Sequence, residues 1–275
     1  MAPRFLRPVT RLAPHWLRRA GAGAIEDLKS LPARLADPER RAEPWSVLHH
    51  VGHGGYLHIG RYLAGLLETY GGFDGGQHVL DIGCGTGRAA AGLDARLASG
   101  GGKYLGFDIS ASAVRYCRRR FAGETHMVFE HLDVRHPDYN PRGTQDELQV
   151  AFPCAPGAFD IALAASVFTH LEMPAVRRYL AETAKALVPG GRFVFTAFGL
   201  EPGREASEKF PFRPHDETSS TVDPQAPLGA IGHRREVLES AIREAGFKSF
   251  DFHRGDWAPG ADYAGGQDLY VAVKG

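Results

Sequence analysis

The chain has 275 residues, and its 32 Lys and Arg balance its 32 Asp and Glu to a formal charge of zero. This balance argues against a chain built mainly to neutralise nucleic-acid phosphates. A content of 43% apolar and 23% charged residues excludes a disordered or fibrous chain. The three cysteines are widely spaced, which suits a reducing, cytoplasmic location and gives no zinc-binding pattern. No apolar run is long enough for a membrane-spanning helix.

Glycine is the unusual component of the composition. The chain contains 34 glycines, about 12% against a usual level of about 7%. Seventeen of them fall between Gly52 and Gly106. Because glycine permits positive φ angles and close approach to the backbone, this excess indicates tight turns or a ligand lying against the main chain.

The first 20 residues are basic, with five arginines and no acidic residue. This composition fits a transit peptide, a basic helix lying on a membrane, or a solvated or partner-packed arm. We favour the arm and keep peripheral membrane contact open. Prolines at 3, 8 and 14 predict that no long helix forms there, and residues 21–50 are predicted to be a linker with one short helix. Residues 1–45 therefore form a predicted N-terminal arm and linker.

From residue 56 onward the pattern predicts alternating helices and strands. Helices are expected at 56–70, 88–97, 111–121, 174–187 and 234–245. Strands are expected at 77–82, 103–107, 127–131, 159–164, 192–198, 248–253 and 268–273. Alternation of this kind indicates a mostly parallel seven-stranded sheet with helices on both faces. The last two strands have no helix between them, which predicts an antiparallel C-terminal hairpin. We predict one α/β domain over 46–275, with inserts at 136–157 and 199–232 and an N-terminal helical extension.

The strongest motif begins where the first strand ends in Asp81. The run Gly83-Cys84-Gly85-Thr86-Gly87 follows and leads into a helix at Arg88. Glycines in this position let a nucleotide-like ligand approach the backbone at the carboxyl end of the strand. Asp108 ends the next strand, where a carboxylate can accept hydrogen bonds from ribose hydroxyls. A carboxylate at Asp81 would repel a pyrophosphate and suits a ligand with an amino group and a positive centre.

Residues Val79–Arg88 resemble motif I of the class I S-adenosylmethionine-dependent methyltransferases. Four more segments resemble later motifs in the family's order, namely Gly106–Ser110, His131–Val134, Phe159–His170 and Leu187–Arg192. The resemblance covers roughly residues 56–275 and implies a Rossmann-like fold and S-adenosyl-L-methionine as cofactor. It also implies methyl transfer by in-line displacement. Tyr139-Asn140-Pro141 and Gln267-Asp268 further resemble a bacterial subgroup of small methyltransferases.

The resemblance implies particular roles for single residues. Asp108 would bind the ribose and Asp133 would accept from the adenine amino group. Tyr56 and Arg61 would approach the methionine end of the cofactor, or else Tyr56 packs its helix and Arg61 faces water. The cofactor-binding residues implied in this way are Tyr56, Arg61, Asp81, Gly83, Cys84, Gly85, Gly87, Arg88, Asp108, Ile109, Asp133, Val134 and Ser166.

His170 is the candidate catalytic base, because it follows the fourth strand beside the expected ligand crevice and an imidazole titrates near neutral pH. It could instead cap the next helix, or bind the acceptor without moving a proton. His170, His233 and Trp257 are the candidate acceptor-binding residues, the last two from loops expected to shape specificity.

His49 and His53 are four residues apart, which could place two metal ligands on one helical face. The neighbouring glycines make a helix doubtful, and no nearby carboxylate or thiolate completes a ligand set. We therefore expect a flexible loop over the cofactor and no metal ion.

The leading hypothesis is an enzyme that transfers a methyl group to an oxygen or nitrogen of a small molecule, with a sugar or natural product favoured. The Asn-Pro-Pro-Tyr signature of adenine N6-methyltransferases is absent, so no nucleic-acid partner is expected. A noncatalytic S-adenosylmethionine-binding module is the alternative from another class. A third hypothesis is an NAD(P)-dependent oxidoreductase. Asp81 counts against it, and so does Gly87, which comes one residue earlier than the third glycine of the dinucleotide-binding pattern Gly-x-Gly-x-x-Gly.

Overall fold

The computed structural model describes residues 15–37, 40–41, 43–46 and 55–275. Its helices are α1 (His15–Ala36), α2 (Tyr56–Leu66), α3 (Arg88–Gly100), α4 (Ala111–Arg120), α5 (Met173–Ala186) and α6 (Arg235–Glu244). Its strands are β1 (Val79–Ile82), β2 (Tyr104–Asp108), β3 (Met127–His131), β4 (Phe159–Ala164), β5 (Leu187–Ala197), β6 (Gly199–Leu200), β7 (Arg213–Pro214), β8 (Ser219–Thr221), β9 (Ile231–Arg234), β10 (Phe247–His253) and β11 (Asp268–Lys274). A π-helical turn extends α2 over Leu67–Gly71, and a 3₁₀ turn spans Phe168–His170.

The main sheet has seven strands in the spatial order β10-β11-β5-β4-β1-β2-β3. The strands β1 to β5 pair in parallel. The strand β11 pairs antiparallel with both β5 and β10. This arrangement confirms the α/β, Rossmann-like fold with a mostly parallel sheet and an antiparallel C-terminal hairpin.

The strand β1 shows why the sheet is buried on both faces. Every residue of β1 is buried, and alternate side chains enter opposite hydrophobic clusters. Val79 packs in the cluster that contains residues of α2 and α3, whereas Leu80 packs in the cluster that contains residues of α5 and α6. The sheet thus separates two apolar layers, each closed by helices.

The direction of the strand order reverses between β1 and β4. From β1 the chain moves outward to β2 and β3, and it then returns to form β4 on the other side of β1. Ligands of open α/β sheets bind at the carboxyl ends of the strands where such a reversal occurs. The glycine loop after β1 and the turn Phe168–His170 after β4 therefore meet at one crevice.

The second insert folds into a small sheet that the sequence did not predict. Its order is β6-β9-β8-β7, with strands of two to four residues. Segments this short carry little hydrophobic periodicity, and their pairing depends on contacts with the body of the domain. The start of β5 also differs: β5 begins at Leu187 and includes the residues expected to form the turn before it.

The N-terminal expectation was wrong over residues 15–36. The linker with one short helix was predicted from 21 onward, but α1 is a single helix of 22 residues that contains Pro32. Ala, Leu, Arg and Lys are strong helix formers, and together they offset the cost of one proline. The remainder of the basic arm, residues 1–14, lies outside the described residues. Within the described part of the chain, no helix is long and apolar enough to cross a membrane.

Candidate active site

A cleft of about 850 Å³, counting space open to solvent, lies at the crevice between β1, β2 and β4. One side is formed by the glycine loop and the end of β2, with Gly83, Cys84, Gly85, Thr86, Arg88, Phe107, Asp108 and Ile109 as lining residues. The other side is lined by His136, Tyr139, Ala165, Ser166, Val167, His170, Leu171 and Tyr179. The cleft therefore brings together most of the residues that the first two motifs and the fourth motif predicted.

The glycine loop leaves its backbone open to a ligand. Gly83 and Gly85 have φ angles of 70° and 53°, which favour glycine. A Cβ atom at Gly83 would lie 2.6 Å from Cγ2 of Val167, so the loop requires glycine there. At Gly85 a Cβ atom would meet no described atom within 4 Å. A flat, nucleoside-like group can thus approach the main chain at Gly85.

Asp108 connects β2 to this loop. Its Oδ2 atom accepts a hydrogen bond from the Gly85 N–H at 2.8 Å, and its Oδ1 atom accepts from the Ser110 N–H at 2.7 Å. A carboxylate oxygen has more than one acceptor site, so these bonds leave capacity for hydroxyl donors from a ligand. Asp108 lines the cleft, as the ribose-binding expectation requires.

Asp81 lies behind the loop and is 3% exposed. The Tyr104 hydroxyl donates a hydrogen bond to it. Burial raises the pKa of Asp81 to about 7, and Asp108 adds to this effect, while Tyr104 and Arg88 act against it. Asp81 is not among the lining residues of the cleft. Its position suits an electrostatic role across the loop, without direct contact with a ligand.

Tyr56 and Arg61 take different positions on α2. Tyr56 is buried, and its hydroxyl donates to the carbonyl oxygens of Thr86 and Gly87 at 2.9 and 2.8 Å. Arg61 is exposed. The structure therefore places Tyr56 as a support beneath the glycine loop and does not bring either side chain to the wall of the cleft.

Ser166 has a φ angle of 60°, the one positive value among the described residues other than glycine. Its N–H donates to Thr196 Oγ1 at 2.8 Å, and its hydroxyl donates to Gln267 Oε1 at 3.1 Å. The Thr196 hydroxyl donates to the same Gln267 oxygen at 2.6 Å. A left-handed serine costs free energy and persists only where its surroundings hold it. We call these three residues the Ser166 clamp.

His170 lies in the turn after β4, on the side of the cleft facing the glycine loop. Its Nδ1 atom is 2.8 Å from the Leu228 carbonyl oxygen. Because a carbonyl oxygen only accepts, Nδ1 carries the proton, and Nε2 of the neutral ring keeps its lone pair. The Tyr139 hydroxyl is 3.3 Å from each ring nitrogen. This tautomer is the one that a general base requires.

Two cofactor residues expected from the third motif, Asp133 and Val134, are not among the lining residues of the cleft. The Asp133 carboxylate accepts from Asn140 Nδ2 at 3.1 Å and from Thr144 Oγ1 at 2.7 Å. These bonds lower the pKa of Asp133, with Thr144 as the larger cause. Val134 is buried and pairs with Gln145. Both residues organise the first insert and are not among the lining residues.

His233 and Trp257 also lie in the interior. His233 is fully buried, its Nε2 atom is 3.1 Å from the Phe168 carbonyl oxygen, and burial lowers its pKa to about 4. Trp257 is 1% exposed and packs edge-on against Phe198 and Phe212. Neither residue is among the lining residues of the cleft, whereas the predicted acceptor-binding role would require a position there. They hold the second insert against the body of the domain.

Several lining residues were not assigned roles from the sequence. His136 binds the His170 carbonyl oxygen through Nε2 at 3.0 Å, and Tyr139 packs edge-on against the His170 ring. Tyr179 reaches the cleft from α5. Tyr139 belongs to the Tyr139-Asn140-Pro141 motif of the bacterial subgroup, and this motif could have indicated its role. No sequence motif marks His136 or Tyr179. The histidines at 49 and 53 lie outside the described residues.

The comparisons with known proteins indicate a methyltransferase. A family described as a methyltransferase domain matches residues 80–193. A demethylmenaquinone methyltransferase from Symbiobacterium thermophilum is 27% identical over 207 residues, 66% of this chain and 72% of that protein. A ubiquinone biosynthesis O-methyltransferase from Sodalis glossinidius is 25% identical over 202 residues, 74% of this chain and 69% of that protein.

A crystal structure of an S-adenosylmethionine-dependent methyltransferase from Aquifex aeolicus shares the fold. It is 16% identical, the match covers 89% of this chain and 96% of that one, and the TM-score is 0.51. Taken with the glycine loop, Asp108 and the strand order, these matches support a class I S-adenosylmethionine-dependent methyltransferase. The protein is an enzyme that uses S-adenosylmethionine as its cofactor.

Proposed function

We propose that the protein methylates a hydroxyl oxygen of a neutral, largely apolar small molecule, with His170 as the general base. The observation that carries the proposal is the hydrogen bond from His170 Nδ1 to the Leu228 carbonyl oxygen, which makes Nε2 the basic nitrogen of a residue that lines the cleft. A hydroxyl nucleophile needs such a base, whereas a neutral amine can attack without one.

The cofactor half of the site is the glycine loop with Asp108. We assign Gly83, Gly85 and Cys84 as backbone contacts and Asp108 as the acceptor for ribose hydroxyls. The cofactor, when bound, supplies an electrophilic methyl group on a positively charged sulfur. Asp81 lies behind the loop and favours a cationic ligand once it is ionised, because opposite charges attract across a poorly screened interior.

The acceptor half of the site is mainly apolar. Val167 and Leu171 line it together with the aromatic rings of Tyr139 and Tyr179. Among the described lining residues on this side there is no lysine, arginine or carboxylate, so an acceptor with a phosphate or carboxylate would lack a counter-charge. An apolar wall with a few polar groups suits an aromatic or otherwise hydrophobic natural product better than a sugar.

The chain's own residues then act as follows. The clamp holds Ser166 in the wall of the cleft, and the glycine loop at Gly85 would hold the cofactor. His170 Nε2 takes the proton from the acceptor hydroxyl, and the Leu228 carbonyl oxygen stabilises the imidazolium through Nδ1. Alignment and the exclusion of water supply the rest of the rate enhancement.

The proposal is tested by measuring S-adenosylhomocysteine formation with a panel of acceptors. The panel contains phenols and hydroquinones, free sugars, primary amines and single-stranded oligonucleotides. Quinone-related phenols are included because two relatives are named for menaquinone and ubiquinone biosynthesis. We expect turnover with neutral phenols, and mass spectrometry should place the methyl group on oxygen. Turnover confined to sugars, amines or oligonucleotides would contradict the acceptor class.

A further inference from the structure

The helix α1 has an unusual orientation, because its polar face is the packed one. Asp27 and Arg34 are 8% and 7% exposed. The Arg34 guanidinium donates to three backbone carbonyl oxygens in the segment 40–44, at 2.7 to 3.2 Å. The Ser46 N–H donates to the Asp27 carboxylate. These contacts hold α1 by its charged side and fix which face points outward.

The outward face is apolar. Ile25, Leu28, Leu31 and Leu35 are spaced at intervals of three and four residues, so they lie on one side of α1. Their exposed fractions are 59%, 70%, 37% and 72%. We call these four residues the α1 stripe. Trp45 is 44% exposed beside the helix, with the Arg34 guanidinium 4.4 Å above its ring.

The charge of the chain is strongly segregated around this helix. Residues 1–36 contain seven Lys and Arg and two acidic residues, a net charge of +5, in a chain whose total is zero. The remaining residues therefore carry a net charge of −5. The whole excess comes from five arginines within residues 4–19, and residues 21–36 are neutral, so the positive charge directly precedes the stripe along the chain.

We propose that α1 is an interfacial anchor that lies on an anionic lipid surface, with the α1 stripe in the boundary between headgroups and acyl chains. An exposed leucine stripe next to basic residues is the composition that such surfaces recognise. A second copy of the chain fits less well, because it would bring two segments of +5 together, whereas anionic lipids neutralise them.

The test is cosedimentation with vesicles of equal parts phosphatidylglycerol and phosphatidylcholine, against vesicles of phosphatidylcholine alone. We expect the full chain to bind the anionic vesicles and to be released by high salt, since exposed charges are screened. The double variant Leu28→Gln with Leu35→Gln keeps the net charge and replaces one good helix former by another. It should weaken vesicle binding by about tenfold or more, because it removes two of the four inserting side chains.

The matched control is Glu26→Gln with Lys29→Gln. Both residues are exposed and lie on the same helix outside the stripe, and the pair of substitutions leaves the net charge unchanged. It should bind vesicles within about twofold of the unmodified chain. S-adenosylhomocysteine binding by calorimetry should be unchanged in both double variants, which confirms their fold. Equal vesicle binding by the two double variants, or none by the unmodified chain, overturns the proposal. The stripe is instead a self-association surface if the unmodified chain does not bind vesicles and sediments as a dimer, whereas the double leucine variant sediments as a monomer.

Discussion

The buried carboxyl group of Asp81 makes the stability of this protein depend on pH in a calculable way. Burial raises the pKa of Asp81 from 3.8 to about 7 in the folded chain. In the unfolded chain the group returns to its ordinary pKa. The folded state therefore holds a proton that the unfolded state has released at any pH between about 4 and 7.

The sign and the size follow from this difference. Because the folded state binds more protons in this window, the free energy of unfolding falls as pH rises, by about 1.4 kcal/mol for each pH unit. A shift of about three units corresponds to about 4 kcal/mol, complete once the pH exceeds the folded pKa of about 7. Asp81→Asn removes the titration and keeps an oxygen that accepts from the Tyr104 hydroxyl. The variant should therefore match the original protein near pH 4 and exceed its stability above pH 7.

Urea denaturation of both proteins at several pH values from about 5 to 8 measures the effect. The pKa of His233 is lowered to about 4, so in the acidic part of this range the unfolded state holds a proton that the folded state lacks. The free energy of unfolding therefore rises with pH there, opposite to the effect of Asp81. This contribution is common to both proteins and cancels in their difference. We expect the difference to grow by about 3 kcal/mol between pH 5 and pH 8. Parallel pH profiles would refute a buried, protonated Asp81.

Substitutions at four further positions test the site. Asp108→Asn should weaken S-adenosylhomocysteine binding about ten- to a hundredfold by calorimetry, because charge-assisted hydrogen bonds are lost, and an unaltered Kd would contradict its role. His170→Asn should lower kcat by about 10² or more while Kd for the cofactor stays constant; an unchanged kcat would remove it as the base. Gln267→Leu should reduce kcat about tenfold because two hydroxyl donors lose their acceptor, and Gln267→Glu, which still accepts, should restore most of it; equal loss in both would count against the clamp. Tyr56→Phe should lower the free energy of unfolding by about 1 kcal/mol in urea, with no change expected if its hydroxyl did not support the loop.

The fold was largely predictable because its signals are local. The apolar run of β1 and the glycines at 83, 85 and 87 define a strand, a loop and a helix start within about ten residues. Such patterns act through backbone geometry, which depends little on distant parts of the chain. The N-terminal helix was predicted to be too short because prolines weigh heavily in a sequence, although α1 contains Pro32.

Some residue roles within the site also follow from local sequence signals, whereas others depend on contacts between distant parts of the chain. The positions of Asp108 and His170 follow from the carboxyl ends of β2 and β4, the parallel strands on either side of β1, which a sequence can indicate. The burial of His233 and Trp257 could not be predicted, because both depend on how the second insert packs against the body of the domain. The role of Gln267 was also hidden, since it lies about a hundred residues from Ser166 in the chain and 3.1 Å from it in space.

The sequence by itself determined the class of fold, the cofactor and the glycine loop, because these rest on short-range geometry and residue chemistry. Only the tertiary structure decided the protonation of Asp81, the tautomer of His170 and the orientation of α1. Each of these depends on desolvation or on a hydrogen-bond partner from another part of the chain. The excess of glycine, which first indicated turns, includes a loop whose backbone at Gly85 is open to a ligand.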